Sequence, residues 1–231
     1  GTRAVAPLNP GKAPVGKVPV VIDPRVGSSI VGHLLGAIAG PAIARGTSFL
    51  LGKEEHMLFD SGIVIRDEPH RPRGLRSRAF DGEGLPTAAR DIVADGRITG
   101  WLLDNASAKQ LGLTPTGHAS RGGGASGVGA SNLHLAAGSA TPAALMEGIS
   151  EGVYITELIG QGVNPVTGDY SRGASGFLIQ GGAIAGPIAE FTIAGNLIDM
   201  FAALIPANDL EYRHGTNAPT LRIDGMTVAG S

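Results

Sequence analysis

The sequence contains no cysteine. This absence excludes disulfides, thiol nucleophiles and thiolate metal ligands, and it is typical of a chain that works in a reducing compartment such as the cytoplasm. Aromatic residues make up only 4% of the chain, and the net charge of −2 gives no basic field that would favour nucleic acid or an anionic membrane. No apolar run approaches the ~20 residues that cross a bilayer, and the start of the chain does not resemble a signal peptide. We therefore expect a cytoplasmic protein that binds neither nucleic acid nor membrane directly.

Glycine, in contrast, is abundant, with 37 residues, and 42% of the chain is hydrophobic. Many glycines spread among apolar segments indicate tight turns between short strands. The fold class predicted is α+β, built mainly from antiparallel β-sheets or meanders with short packed helices. Residues 1–17 are rich in proline and lysine and are predicted to form a linker, with one domain over residues 18–231.

Two segments carry hairpin signals. Gly181–Gly182 separates two apolar runs, and Asp95–Gly96 is a favoured type I′ turn. Pro187 lacks an N–H group, so the strand that returns from Gly181–Gly182 is expected to be an edge or to carry a bulge there.

Four short helices are predicted from capping residues. The first is capped by Ser28 or Ser29, and the others are capped by Asn105, Thr141 and Asn196. The last of them is expected to place Leu204 on its buried side.

The segment 121–132 is nearly pure glycine, serine and alanine, and residues 122–127 formally match the GxGxxG dinucleotide motif. That motif requires a strand before it and a helix after it, and the flanking sequence supplies neither. We interpret it as a surface loop. The arginine-rich segment 71–78 is interpreted as a solvated loop, with a basic groove for a carboxylate or phosphate as the alternative.

Candidate site residues are few. His118, in the string TGHA beside the glycine-rich loop, either lines a cleft or bonds the backbone of a turn. Tyr170, Ser171, Arg172 and Ser175 form a polar cluster that is predicted to lie on a glycine-rich turn. Such a cluster suits contacts with a peptide or a protein partner, with Arg172 available to pair with a carboxylate. A purely structural role in setting the turn is the alternative.

Several strings together resemble one known family. They are GDYSRGASGF (168–177), TIAGNLIDMF (192–201) and APTLRIDGMTVAG (218–230), with FDGEG (80–84), WLLD (101–104), TGHA (116–119) and ELIGQGV (157–163) upstream. This combination resembles the TldD/PmbA family, in particular its PmbA (TldE) branch. The resemblance implies that the chain is the family's C-terminal domain, and that the α/β domain which precedes it in the family is absent from this chain.

Catalytic members of the resembled family carry an HExxxH zinc motif on the first helix of this domain. In this sequence Ser28 and Ser29 stand where the first histidine and the glutamate would be, and only His33 matches. The late cysteine of the catalytic branch is missing as well. The resemblance therefore implies no zinc or other cofactor and no catalytic residue in this chain, with His33 as a structural histidine.

The resemblance also implies a function. The family works as a cytosolic TldD–PmbA heterodimer, a zinc peptidase that acts on unfolded peptides. We expect this chain to be the non-catalytic subunit, with zinc held by a TldD-like partner, and to form a homodimer when that partner is absent. One alternative is a stand-alone interaction module of a toxin–antitoxin or gyrase system. Another is a peptidase with a metal site outside the family pattern, using His33 and carboxylates.

Overall fold

The computed structural model describes residues 8–121 and 127–230. The start of the predicted linker and the centre of the glycine-rich segment lie outside the described residues. The strands are β1 Gly16–Ile22, β2 Ile65–Asp67, β3 Arg90–Ala94, β4 Arg97–Ile98, β5 Ala119–Ser120, β6 Gly127–Val128, β7 Leu133–Leu135, β8 Glu151–Ile159, β9 Asp169–Gln180, β10 Ala183–Asn196, β11 Leu204–Pro206, β12 Thr216–Asn217 and β13 Leu221–Gly230. The helices are α1 Pro24–Ala37, α2 Gly40–Ala44, α3 Asn105–Leu111, α4 Pro142–Met146 and α5 Leu197–Ala202.

The strands form a large sheet, a smaller sheet and a two-stranded ribbon. The large sheet has the order β1-β8-β9-β10-β13-β11, and because β1 also pairs with β13, its first five strands close into a ring. The smaller sheet has the order β12-β7-β2-β3-β4, and β5 pairs with β6. All pairings between these strands are antiparallel except β1–β8 and β7–β12. The predicted α+β class with mainly antiparallel sheets is therefore confirmed.

One hydrophobic core joins both sheets to the longest helix. It contains Ile22 and Ile155 from the large sheet, Ile65 and Val93 from the smaller one, and Leu34 from α1, all nearly inaccessible to solvent. Burial of this kind stabilises a chain by about 1.5–3 kcal/mol for each large aliphatic side chain. None of the helices in residues 8–121 and 127–230 is long and apolar enough to cross a membrane.

Both predicted hairpin turns are present. Gly181 and Gly182 have φ angles of 57° and 81°, and Asp95 and Gly96 have φ angles of 48° and 76°. Positive φ at both central residues is the signature of a type I′ turn, whose twist matches that of the flanking strands. The bulge expected at Pro187 is also present, because the register of β10 against β9 shifts between Ile184 and Pro187.

Two predicted helix caps were wrong. Asp23, not Ser28 or Ser29, caps α1: its carboxylate accepts a hydrogen bond from the Arg25 N–H, and the proline that follows it occupies the first helical position. Asp104, not Asn105, caps α3 by accepting a hydrogen bond from the Ser107 N–H. In both cases an acidic residue just upstream satisfies the free N–H groups of the first turn, so that the helix begins earlier than predicted.

Helix α5 was predicted correctly at its start and incorrectly at its end. The Asn196 side chain accepts a hydrogen bond from the Ile198 N–H, as expected of a cap. Leu204, which was predicted on the helix, instead lies in β11, where it pairs with Ile223 of β13. Hydrogen bonds to a neighbouring strand replace those of a further helical turn.

Candidate functional site

The helix α1 and the strand β9 bring three of the sequence-selected side chains together. His33 lies in the second half of α1, and its ring contacts the ring of Tyr170 edge to face, with 5.7 Å between the ring centroids. Arg172 lies two residues further along β9, so it shares a face of the strand with Tyr170. We call these three residues the His33–Tyr170–Arg172 cluster.

The location of this cluster corrects the prediction of a glycine-rich turn. Residues 169–180 form a continuous strand that is paired with β8 on one side and with β10 on the other. Glycine inside a strand is tolerated where another backbone approaches closely. Gly176 shows the reason here, because a Cβ atom at this position would collide with the carbonyl oxygen of Tyr154 on β8. The pairing on both sides outweighs the turn propensity of the residues.

Polar atoms of all three side chains are shielded from solvent without a partner. His33 Nε2, the Tyr170 hydroxyl and Arg172 Nε are each buried and make no hydrogen bond in the described part of the chain. Buried polar groups in folded proteins are nearly always hydrogen-bonded, because a lone one costs about 1–3 kcal/mol. Three unpartnered groups side by side therefore mark an unusual place in this fold.

The electrostatics of the cluster follow from burial and from the arginine. Burial lowers the pKa of His33, and the positive charge of Arg172 lowers it further. Burial raises the pKa of Tyr170 to about 12, against the opposing charge of the nearby Arg172 guanidinium, which approaches the phenol without reaching hydrogen-bond geometry. Near neutral pH the cluster therefore holds a neutral imidazole, a neutral phenol and one cation.

The serines selected from the sequence lie elsewhere. Ser175 donates a hydrogen bond from its hydroxyl to the Glu157 carboxylate, with 3.0 Å between the oxygens. Ser171 is exposed, and its N–H donates to the carbonyl of Gly162. Neither serine is hydrogen-bonded to a histidine in the described residues, so no activated nucleophile of the serine–histidine type is formed by them.

Ser175 lines one of two cavities that meet at the start of α1, and sequence reasoning missed this groove. The two cavities, of about 230 and 580 Å³, share Asp23, Arg25 and Tyr154. The Asp23 carboxylate accepts hydrogen bonds from Arg25 and from the Tyr154 hydroxyl. Burial raises the pKa of Asp23, but these bonds and the Arg25 charge outweigh that effect and leave the pKa below its usual value. The Asp-Pro pair at positions 23 and 24, a typical helix start, was the signal that could have pointed to this place.

His118 belongs to a separate, buried network. It is only 3% exposed, its Nδ1 is 2.9 Å from the Thr116 hydroxyl, and its Nε2 is 3.4 Å from the carboxylate of Asp67. Asp67 also accepts hydrogen bonds from the N–H and the hydroxyl of Ser131. We call Asp67, His118 and Ser131 the Asp67–His118–Ser131 network. Its polar groups satisfy one another, which is the arrangement expected of a structural histidine.

The arginine-rich segment has local partners. Arg71 pairs with Glu68 at 2.8 Å and lies over the ring of Tyr212, 3.3 Å from its centroid. Arg78 donates to the Gly129 carbonyl, whereas Arg73 and Arg76 are exposed. These contacts agree with the interpretation as a solvated loop, which is held by neighbouring residues of the chain.

With this geometry established, comparison with known proteins shows what the chain is similar to. Residues 15–230 match the family model described as the PmbA/TldA metallopeptidase C-terminal domain. The chain is 39% identical over 229 residues to the metalloprotease PmbA of Escherichia coli O157:H7, covering 99% of this chain and 49% of that protein. It is 39% identical over 230 residues to the metalloprotease PmbA homolog of Haemophilus influenzae, with the same coverage. The chain therefore spans about half the length of the curated relatives it matches.

Two solved structures share the fold. A protein from Bacteroides thetaiotaomicron VPI-5482, described as a candidate modulator of DNA gyrase, superposes with a TM-score of 0.89 at 30% identity, over 99% of this chain and 50% of that one. TldE from Thermococcus kodakarensis superposes with a TM-score of 0.86 at 24% identity, over 97% of this chain and 53% of that one. The second likeness concerns the fold alone.

The metal that the family description implies does not fit the side chains at this place. In residues 8–121 and 127–230, no three histidine, aspartate or glutamate side chains come close enough together to hold a metal ion. The hydroxyl of Ser29 donates to the Val26 carbonyl, 2.7 Å away, and the cation of Arg172 lies near His33. One imidazole beside a guanidinium is a poor donor set for a divalent cation.

Proposed function

The chain belongs to the PmbA/TldD metallopeptidase family, and from this premise we propose that it is the C-terminal part of a catalytically silent, PmbA-like subunit. In this proposal the subunit works in the cytoplasm with a TldD-like partner that holds the zinc ion. The substrates of the complex are unfolded peptides, and this chain helps to enclose and bind them.

The observation that carries the proposal is the chemistry around His33. A hydrolytic zinc site requires several ligands and a general base near the metal-bound water. Ser28 and Ser29 offer only weakly basic hydroxyls, and the Arg172 cation near His33 repels a divalent ion. The charge at this place therefore favours an anion over a metal.

The groove at the start of α1 supports a role in peptide binding. Its walls combine polar groups from Asp23, Arg25 and Glu157 with apolar side chains from Phe177 and Ile184. Mixed apolar and polar lining suits a peptide, whose side chains need apolar contacts and whose backbone needs hydrogen bonds. In the proposed complex this groove forms one wall of the space that encloses the peptide.

Elemental analysis tests the silent-subunit proposal. The chain is purified alone and then with a TldD-like protein from the same genome, and the zinc content and the cleavage of an unfolded peptide are measured for each sample. We expect zinc and chelator-sensitive cleavage only in the mixture, and a homodimer for the chain alone in size-exclusion chromatography with light scattering. Stoichiometric zinc in the isolated chain would overturn the proposal.

A second candidate function is favoured by one comparison, the description of the Bacteroides structure as a candidate gyrase modulator. Under this hypothesis the chain acts as an interaction module without a peptidase partner. Supercoiling by purified gyrase would then change when the chain is added, and no TldD-like protein would co-purify with it. Unchanged supercoiling together with co-purification of a TldD-like protein would exclude this alternative.

A further inference from the structure

Arg172 differs from the other partly buried arginines of the described chain. Those arginines each reach an acceptor: Arg71 pairs with Glu68, Arg78 and Arg90 donate to backbone carbonyls, and Arg222 pairs with Asp224. Arg78 and Arg172 each have a buried Nε with no hydrogen-bond partner in residues 8–121 and 127–230. Arg78 reaches the Gly129 carbonyl through its Nη2 atom, whereas no acceptor in those residues meets hydrogen-bond geometry with Arg172. A half-buried cation without an acceptor costs free energy, which a bound anion would recover.

Two further groups beside Arg172 also lack a hydrogen-bond partner in the described residues. The Tyr170 side chain is only 1% exposed and its hydroxyl has no partner among the described residues, although burial keeps it protonated and able to donate. The Nε2 atom of His33 is likewise unpartnered there, and its ring contacts that of Tyr170. Both groups are neutral near pH 7, since the pKa of Tyr170 is raised and that of His33 is lowered.

We propose that the His33–Tyr170–Arg172 cluster is a binding site for one carboxylate group, supplied by the C-terminal end of a bound peptide. The planar guanidinium of Arg172 matches a carboxylate in shape, and the phenol adds a neutral donor. His33 adds another when its proton is on Nε2. The single positive charge of the cluster balances one carboxylate, whereas a phosphate dianion would remain only half neutralised.

The cluster lies at the edge of the core, where two of its three side chains keep part of their surface exposed. His33 and Arg172 are half-buried, and only Tyr170 is fully enclosed. The exposed segment that precedes β9 lies next to the cluster, because Val163 forms a bridge with Tyr170. A chain end could therefore enter beside Arg172 while Tyr170 forms the floor of the site.

The test is an NMR titration of the chain without a partner, using three tripeptides of equal length. One is N-acetylated with a free C-terminal carboxylate, the second is the same peptide with a C-terminal amide, and the third carries a central aspartate and a C-terminal amide. We expect the first to bind and to shift the resonances of Tyr170 and His33. The second should bind at least roughly tenfold more weakly, because it lacks the charge-assisted hydrogen bonds of the carboxylate.

Two variants and a control assign the effect to the cluster. Arg172→Met should weaken binding of the free carboxylate by roughly tenfold or more and leave the amide unchanged. Tyr170→Phe should weaken binding of the free carboxylate less. Because this variant keeps the aromatic ring and its packing, weaker binding by it would not be explained by unfolding. Arg66→Met is the matched control, because Arg66 is exposed and already lies 3.6 Å from Asp91.

The proposal that the carboxylate comes from a peptide rests on the proposed function. The outcomes of the titration distinguish failure of the carboxylate site from failure of that function. Equal binding of the carboxylate and amide peptides would overturn the carboxylate site and leave the silent-subunit proposal intact. Binding of the aspartate peptide alone would overturn the assignment to a chain end and identify an acidic side chain as the source. Zinc in the isolated chain would overturn the silent-subunit proposal, whatever the titration shows.

Discussion

A buried histidine, His118, and a half-buried one, His33, lie in opposite surroundings. His118 belongs to the Asp67–His118–Ser131 network, where the Asp67 carboxylate contacts both the imidazole and the Ser131 hydroxyl, and the imidazole also contacts the Thr116 hydroxyl. His33 belongs to the His33–Tyr170–Arg172 cluster, where a polar atom of each side chain lacks a partner in the described residues. The first arrangement is complete without a ligand, and the second is not.

Hydrogen-bond satisfaction in the free protein distinguishes structural polar groups from ligand-binding ones. A satisfied network rigidifies the fold, so removing one member exposes the others to the cost of burial without a partner. An unsatisfied cluster already bears that cost in the free protein, so removing a member relieves it. The two regions should therefore respond to mutation with opposite signs.

The largest effect is expected for Asp67→Ala. The substitution leaves the Ser131 N–H and hydroxyl and the His118 ring without their buried acceptor, and we expect the free energy of unfolding to fall by about 3 kcal/mol. Urea denaturation followed by circular dichroism measures it. Asp60→Ala, at an exposed carboxylate, is the control and should change stability by less than about 0.5 kcal/mol. A loss below about 1 kcal/mol for Asp67→Ala would contradict the structural role of the network.

The same carboxylate is expected to shape the stability of the protein in acid. Burial raises the pKa of Asp67, but the hydrogen bonds from His118 and Ser131 outweigh burial, so the pKa lies below its usual value. A carboxyl with a depressed folded-state pKa stabilises the fold fully above the unfolded value of about 3.9, and this contribution is lost as the pH falls through the folded value. The stability difference between the wild type and Asp67→Asn should therefore shrink below about pH 4. A difference that stays constant from about pH 7 to about pH 3 would show that Asp67 does not titrate in this way.

The smallest effect, at Tyr170, is expected to have the opposite sign to that at Asp67. Tyr170→Phe removes a buried hydroxyl that has no partner in the described part of the chain, and we expect the free energy of unfolding to rise by up to about 1 kcal/mol. Tyr154→Phe is the matched substitution at a hydroxyl that donates to Asp23 over 3.1 Å, and it should lower stability by about 1 kcal/mol. Thermal unfolding of both variants measures the pair. Destabilisation by both would mean that the Tyr170 hydroxyl has a partner in solution.

Part of the fold could be predicted because its causes are local. The turns at Asp95–Gly96 and Gly181–Gly182 need positive φ at both positions, and these residue pairs supply it at little cost. The Asn196 cap has an equally local cause, a side chain that bonds the N–H two residues on. The first part of the strand 169–180 was missed because its glycines and serines indicate a turn, whereas pairing with the strands on both sides makes it extended.

The candidate site, like the fold, could be predicted from the sequence only in part. Residue type and family resemblance point to His33, Tyr170 and Arg172, and to His118 as well. Sequence alone could not show that the first three meet while His118 is held by Asp67, nor that Asp23, Arg25 and Tyr154 share a groove.

The sequence by itself therefore determined the class of fold, the hairpin turns, the family, and the replacement of metal-binding residues by Ser28 and Ser29. Only the tertiary structure decided which polar groups are satisfied and which are not. The physical reason is the sequence separation over which each interaction acts. Turn and cap preferences depend on neighbours within a few residues, whereas the partner of a buried polar group is set by the packing of segments far apart in the chain, as α1 and β9 are here.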